Sequence, residues 1–344
     1  MKSNQLSDIR PLWDGMQGHN FGLPDCVKFI MERVGAHEDL SYWDIAAITG
    51  DTVAQVYNRN KTTSCEYCVS GYLAGPEHIY TVFSALGYNV EYIEAAEIAA
   101  ERALFQDKVV DYINCGVPVL AITNINRIPG WQSDVGTYPL VVGYDNYGQT
   151  LKLLVGGTTI IDYDIGAAVK LDLAFVGSKT WDLPKGEILF QTILSMPRWL
   201  SLPEKDGMYF GAAAFRAWAE DINAGRFEDD NLALWENYGV YVCNLATSGG
   251  RNIYMFRELA AINPGFSEWA EWGEKIQQLL PSESPNGEGK SLLWVQLEEL
   301  GGGMDMDTVR LTMRDKAKRA KVAEALLDYA DKLDEALELL LNLP

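Results

Sequence analysis

The chain has 344 residues, of which 48% are hydrophobic and 22% charged, and its formal net charge is −20. This length and apolar content indicate a globular protein with one large domain or two medium domains. The negative charge argues against nucleic-acid binding, which needs a basic surface, and against binding to anionic membranes. No apolar run is long enough for a signal peptide or a membrane span. An odd number of cysteines, five, favours a reducing compartment, so we expect a cytoplasmic protein.

The first segment with the character of a functional site is a loop that turns into a helix, with Pro24 at the first helical position. Apolar residues follow at helical spacing, which predicts that one face of this helix is buried. Cys26 falls in the first turn, where the helix N-terminus favours a thiolate. Asn20, six residues upstream, could donate a hydrogen bond to an oxyanion formed near the thiol. The alternative is that Cys26 is a small buried apolar residue at a helix start.

The rest of the first half reads as helices followed by a mostly antiparallel sheet. Ser41 and Asp44 form the pattern of a capping box, which opens a helix that continues to Ile48. Alternation and apolar runs then predict strands and a hairpin, and a long helix precedes most of them. In chain order, we predict a loop at 58–72, a helix from Pro76, a strand at 89–93, a helix at 94–114, a strand at 117–122, a hairpin of 139–142 with 151–155, and strands at 158–161 and 169–176.

Strand patterns end near residue 185; Pro197, Pro203 and Gly207 then mark a boundary region, and helical periodicity follows it to the C-terminus. We therefore predict an α+β fold with an N-terminal domain at 1–184 and an all-helical domain at 185–344. The last predicted helix is a single long one at 307–341. The helical half is rich in tryptophan and in acidic residues, which we expect to be core and solvated surface respectively. The alternative is that its acids, Asp221 among them, hold an amine in a ligand pocket.

Cys65 and Cys68 form an isolated Cys-x-x-Cys pair in the predicted loop. A zinc site needs two more ligands at similar spacing, and no second pair exists in the sequence. A thioredoxin-type motif needs a preceding strand, which the polar run upstream does not supply. His78, in the first turn of the helix that starts at Pro76, is expected to be a partly exposed surface residue rather than a ligand. We therefore expect no metal and no cofactor.

Three segments, in order, resemble the bacteriocin-processing leader peptidases, which have a papain-like fold. Asn20-x4-Asp25-Cys26 resembles their Gln-x4-Asp-Cys opening, in which Gln completes the oxyanion hole and Cys is the nucleophile. Residues 114–122 resemble the family's Gly-x-Pro-Val segment, and residues 137–145 its strand ending in Gly-Tyr-Asp. A papain-like half followed by a helical half is also similar to relatives of the butirosin-biosynthesis acyltransferase. The resemblance implies a papain-like N-terminal domain.

The sequence departs from that family at the catalytic histidine. Counting back six residues from Gly143 gives Thr137, and a slip of one residue gives Tyr138; neither can take a proton at neutral pH as imidazole does. All three histidines precede the central strands, so the family's order of Cys before His is absent. The loop just before Thr137 carries Trp131 and is expected either to border the ligand pocket or to be an ordinary surface loop.

These observations favour a papain-like protein that has lost its general base and binds a small molecule or peptide beside Cys26. Asp25, Trp131, Thr137 and Tyr138 are then the candidate ligand-binding residues. The alternative is a cysteine-dependent acyltransferase or amidase, with Cys26 as nucleophile, Asn20 as oxyanion donor and His19 as a relocated base. Proteolysis is less favoured, because an unactivated amide needs protonation of its leaving group. A third hypothesis is an interaction module whose helical half forms a homo-oligomer.

Overall fold

A computed structural model of the chain describes residues 2–12, 19, 21–60, 68–73, 75–124, 136–165, 171–245, 251–281 and 291–344. The helices are α1 (Gly22–Arg33), α2 (Tyr42–Ile48), α3 (Val69–Tyr72), α4 (Pro76–Ala85), α5 (Ala95–Ala100), α6 (Arg102–Asn114), α7 (Lys185–Leu200), α8 (Gly211–Asn223), α9 (Val240–Leu245), α10 (Tyr254–Ile262), α11 (Ser267–Leu279), α12 (Leu292–Glu299), α13 (Met306–Arg314) and α14 (Lys316–Leu341). The strands are β1 (Asn4–Gln5), β2 (Val56–Asn58), β3 (Tyr88–Ile93), β4 (Val119–Asn124), β5 (Gly136–Thr137), β6 (Leu140–Asp145), β7 (Thr150–Gly156), β8 (Thr159–Asp164), β9 (Asp172–Lys179) and β10 (Met208–Phe210). Helices, an antiparallel sheet and a helical C-terminal half make the chain α+β, as the sequence predicts.

The chain divides into two compact units, and each is built from two separate stretches of sequence. Unit 1 contains residues 1–49 and 73–185, and unit 2 contains residues 50–72 and 186–344. The sequence-predicted boundary after residue 184 falls one residue from the limit of unit 1. The prediction assigns residues 50–72 to the N-terminal domain, whereas the structure places them in unit 2.

Unit 1 is organised around one antiparallel sheet in the strand order β3-β9-β4-β6-β7-β8, with β1 added to β6 and β5 to β4. The hairpin predicted from the Gly- and Asp-rich turn is confirmed, because Leu140 pairs with Leu154 and Val141 with Leu153. The central strands β4, β6 and β9 contain runs of buried apolar residues, as strands covered on both faces require. Helix α1 packs against this sheet through its buried apolar face.

The residues that join unit 2 from the first half of the chain do so as a strand. Val56, Tyr57 and Asn58 pair in antiparallel register with β10, about 150 residues later. Strand β10 leads directly into α8, and α8 packs along the final helix α14 through Phe215 and Tyr329, whose ring centroids are 4.9 Å apart. Of the tryptophans expected to be core, Trp218 and Trp269 are buried, whereas Trp235 is 44% exposed.

Several elements of unit 2 differ from the sequence prediction. The predicted helix at 307–341 is two helices, because the Asp315 carboxylate accepts hydrogen bonds from the amides of Ala317 and Lys318 and starts α14 afresh. Helix α7 was not predicted, because Pro197 within it reads as a helix breaker. Burial of its apolar face, which includes Trp199, outweighs the backbone hydrogen bond that the proline removes. The predicted loop at 58–72 contains the end of β2 and all of α3.

Candidate functional site

Cys26 is the fifth residue of α1, since the helix begins at Gly22 and Pro24 is its third residue rather than its first. Its side chain has no exposed surface. The thiol donates a hydrogen bond to the backbone carbonyl of Tyr138, with 2.7 Å between Sγ and the oxygen. The sulfur therefore contacts the segment in which the family resemblance expects the general base. The group that it contacts there is a backbone carbonyl, and the sulfur is buried.

The surroundings of Cys26 favour the neutral thiol. Burial is the largest cause and raises the pKa of the Cys26 thiol well above its ordinary value, and the negative charge of Asp25 raises it further. Arg10 lowers this pKa and offsets only part of the increase. The helix N-terminus, which from the sequence would favour a thiolate, is therefore outweighed by desolvation. A protonated, inaccessible thiol is neither a nucleophile nor a metal ligand.

Asp25 is also fully buried, and its charge is matched by Arg10 from the N-terminal segment. Arg10 Nη1 lies 2.7 Å from Asp25 Oδ1, and Nη2 donates to the Asp25 carbonyl at 3.0 Å. Arg10 Nε also donates to Glu32 at 3.1 Å, and Glu32 lies about two turns further along α1 than Asp25. Burial alone would lower the pKa of Arg10, but the charges of Asp25 and Glu32 raise it overall. Through these contacts of Arg10, Asp25 and Glu32 hold the N-terminal segment, residues 2–12, against α1, and we call Asp25 the anchor of this segment.

His19, the candidate relocated base, contacts Asp25 and two aromatic rings. Its Nδ1 lies 3.6 Å from Asp25 Oδ1, and its ring is stacked on Tyr42 with 3.9 Å between centroids and 12° between planes. Trp43 meets the same imidazole edge to face at 6.2 Å. In the described part of the chain, the hydrogen bond of the Cys26 thiol goes to Tyr138, and the polar contact of His19 goes to Asp25. The two are not brought together as a nucleophile and its base.

The strand side of the site is described only in part. Thr137 pairs with Thr123 through β5 and β4, and its side chain lies outside the described part of the structure. Tyr138 follows it with a buried side chain, so its ring belongs to the core and its carbonyl is the group that reaches Cys26. Asn20 and Trp131, the other candidate residues, lie outside the described residues.

Arg10 is a residue of the candidate site that the sequence analysis missed. A buried carboxylate in the first turn of an apolar helix signals that a cation must lie nearby, because buried acids are rarely unpaired. The pattern does not say which cation, since the partner is 15 residues upstream and belongs to no motif.

The Cys-x-x-Cys pair is described only at its second member. Cys68 is buried, and its Sγ accepts a hydrogen bond from the amide of Gly71 at 3.3 Å. Cys65 lies outside the described residues. The described ranges contain no group of three or more His, Cys, Asp or Glu side chains arranged to hold a metal ion. His78, expected to be partly exposed, is buried in α4 and falls in unit 1, whereas Cys68 falls in unit 2.

No protein-family model matches this sequence, and no curated protein matches it. Across the described residues, no helix has both the length and the apolar character needed to cross a membrane.

Proposed function

We propose that unit 1 is a papain-like scaffold that has lost its catalytic base and binds a small molecule or peptide without cleaving it. The order of its elements supports this proposal, because a cysteine-bearing helix precedes an antiparallel sheet. The meeting of Cys26 with Tyr138 supports it too, since the three motifs of the resemblance would bring the helix start and this strand segment together.

The burial of the Cys26 thiol is the observation that best supports the loss of catalysis. The Cys26 thiol donates a hydrogen bond to a backbone carbonyl and has no exposed surface. An acyl substrate would need to reach the sulfur, and an activated cysteine needs a base to take its proton. Thr137 and Tyr138 offer no such base, and His19 is held against Asp25 and Tyr42.

The ligand then binds next to the start of α1 without touching the sulfur. Asp25 and Tyr138 are buried and shape this end of the helix from within. Arg10 and His19 are the partly exposed polar side chains beside them, with 29% and 18% of their side chains accessible. We expect them to contact the ligand together with the aromatic edge of Trp43.

Competitive alkylation tests the proposal, because unit 1 contains a matched internal control. Cys115 is an exposed free cysteine at the end of α6, whereas Cys26 is buried. We expect iodoacetamide to modify Cys115 in the native protein between pH 7 and 9 and to reach Cys26 only in urea, as read by mass spectrometry of the peptides. Native modification of Cys26 near neutral pH, at a rate comparable with that of Cys115, would contradict a disarmed site.

The second candidate is a cysteine-dependent acyltransferase or amidase, and the His19–Asp25 pair is the observation that favours it. An imidazole beside a carboxylate is the arrangement by which a general base is oriented. This candidate requires an acyl-thioester at Cys26 after incubation with an activated thioester donor, and loss of that adduct in His19→Ala. We expect no adduct in either protein.

A further inference from the structure

A groove on unit 2 runs between α11 and α14 and has a volume of about 480 Å³. Its walls are two stripes at helical spacing, which we call the α11–α14 groove: Trp272, Lys275 and Leu279 on one side, and Glu335, Glu338 and Leu339 on the other. Residues three and four apart lie on one face of a helix, so each stripe presents a continuous edge. The groove is open to solvent along its length.

Two of the α14 carboxylates that pair with no described residue line this groove. Asp331 and Asp334, on the neighbouring face, are both 2.7 Å from Arg216, and Asp328 is 2.6 Å from Lys332. Glu335 and Glu338 are exposed, and neither makes an ion pair with another described residue. Asp328, Asp331 and Asp334 are therefore paired with cations, whereas the two carboxylates along the groove keep their negative charge.

The opposite wall already holds an ammonium group. Lys275 Nζ lies 4.6 Å from the ring centroid of Trp272, which is within the range of a cation–π contact. Trp272 is half-buried, so its indole offers a fixed face beside the apolar side chains of Leu279 and Leu339. The groove thus combines an aromatic anchor, an apolar floor and an acidic edge.

The shape of the groove separates two kinds of occupant. A small ligand is normally bound with most of its surface buried, which an open groove does not provide. A polypeptide helix fits such a groove by laying its apolar side chains along the floor. Glu335 and Glu338 are one turn apart, so they match lysine or arginine side chains that are also one turn apart on the occupant.

We propose that the α11–α14 groove is a docking surface for a basic amphipathic helix of a partner protein. The site is separate from the one at Cys26 and does not depend on its function. Trp272 supplies the apolar anchor, and Glu335 and Glu338 set the orientation and speed of association through their charge. Electrostatic repulsion from the same two carboxylates disfavours the binding of an acidic segment.

The test measures the binding of a fluorescein-labelled amphipathic helix made of leucine and lysine by fluorescence anisotropy. We expect Trp272→Ala to weaken binding about tenfold and the pair Glu335→Gln with Glu338→Gln to weaken it about fivefold. The matched control is the pair Glu299→Gln with Glu324→Gln, which removes the same charge from exposed positions of unit 2 that lie outside the groove and form no ion pair with a described residue. The control pair is expected to bind within a factor of about 1.5 of the unchanged protein.

Two results would overturn the proposal. If the control pair weakens binding as much as the groove pair, the peptide is attracted by the net charge of −20 and by no particular surface. If a peptide with serine in place of leucine binds as well, the apolar floor has no part in binding. The glutamine variants change exposed side chains only, and their circular dichroism melting curves verify that the fold is retained.

Discussion

Two aspartates hold remote segments in place, one in each unit of this protein. In unit 1, Asp25 holds the N-terminal segment through Arg10. In unit 2, Asp221 holds residues 56–59 through Tyr57, whose hydroxyl donates to Oδ2 at 2.6 Å, and through Arg59 Nε, which lies 3.1 Å from Oδ1. Arg226 adds a contact of 2.7 Å to the same carboxylate. From the sequence, both acids were candidates for ligand binding.

The two sites differ in how much water reaches the charges. Asp25 has no exposed side-chain surface, whereas Asp221 is 13% exposed and its arginine partners are each about one-third exposed. A buried carboxylate depends on its partner, because desolvation without pairing is costly. A carboxylate near the surface can exchange lost partners for water. The comparison teaches that the same ion-pair chemistry gives a rigid anchor in unit 1 and a more replaceable one in unit 2.

The largest expected effect is that of Arg10→Ala. This change removes the guanidinium that lies 2.7 Å from the buried Asp25 carboxylate, so we expect a loss of about 3 kcal/mol in the free energy of unfolding. Urea unfolding measures the loss, and hydrogen exchange of the β1 and α1 amides localises it.

The control for this variant is Arg33→Gln. Arg33 donates to the carbonyls of Ser7 and Asp8 and so ties the same N-terminal segment to α1, but within the described ranges it pairs with no buried charge. We expect a loss of about 1 kcal/mol. Equal losses in the two variants would show that tethering of the segment matters and that the buried charge does not.

Asp221→Asn comes next, with an expected loss of about 2 kcal/mol, because the change weakens three polar contacts that water can partly replace. The neighbouring Glu220 pairs with Arg59 at 2.9 Å but is 69% exposed, so Glu220→Gln is the control and is expected to cost no more than about 0.5 kcal/mol. A loss for Asp221→Asn as large as that for Arg10→Ala would remove the distinction between the two anchors.

Local patterns predicted much of unit 1, and pairings distant in sequence account for what was missed. The capping box at Ser41 and Asp44 is confirmed, since each side chain bonds the other's backbone amide within four residues of chain. The pairing of β2 with β10 was not predictable, because each strand has three residues and no periodicity can show a partner so far along the chain. Asp315 was read as part of one helix because the apolar stripe continues past it.

The candidate site shows the same division between local and distant information. The helix that carries Cys26 follows from its apolar spacing, but the degree of burial of the thiol does not. Arg10, Tyr138 and the sulfur come together through tertiary packing of three separate segments. A sequence motif can place a cysteine at a helix start, and only the packing decides whether the helix N-terminus or desolvation controls its pKa.

The sign of the slope of the free energy of unfolding against pH distinguishes a buried, protonated Cys26 thiol from an activated thiolate. Because the pKa of Cys26 is raised in the folded state, the native protein holds this proton at a pH where the unfolded chain releases it. The stabilisation is fully present below the ordinary thiol pKa and is lost as pH rises above it. We expect unchanged protein to lose about 1 to 2 kcal/mol relative to Cys26→Ala between pH 8 and 10.

Urea unfolding of both proteins at a series of pH values provides this difference. Subtracting the two curves removes the contributions of the tyrosines and of Cys243, whose raised pKa is common to both. An activated thiolate would give the opposite slope, with stability lost as pH falls. That result would contradict the proposal that unit 1 has lost its catalytic activity.

The smallest expected effect concerns the apolar side of the anchor in unit 2. Val53, which precedes the segment 56–59 that Asp221 holds, lines an apolar cavity of about 30 Å³ together with Met196, Leu200 and Ala336. Val53→Ile adds one methylene to this space, and we expect the free energy of unfolding, measured in urea, to rise by about 0.8 kcal/mol.

The control is Val322→Ile, because Val322 is fully buried, does not line the cavity and packs closely on Gly302. That control should lose about 1 kcal/mol through overpacking. If both valine variants lose stability, the cavity cannot accept a methylene, and residues 50–60 then depend on the Asp221 contacts more than the packing suggests.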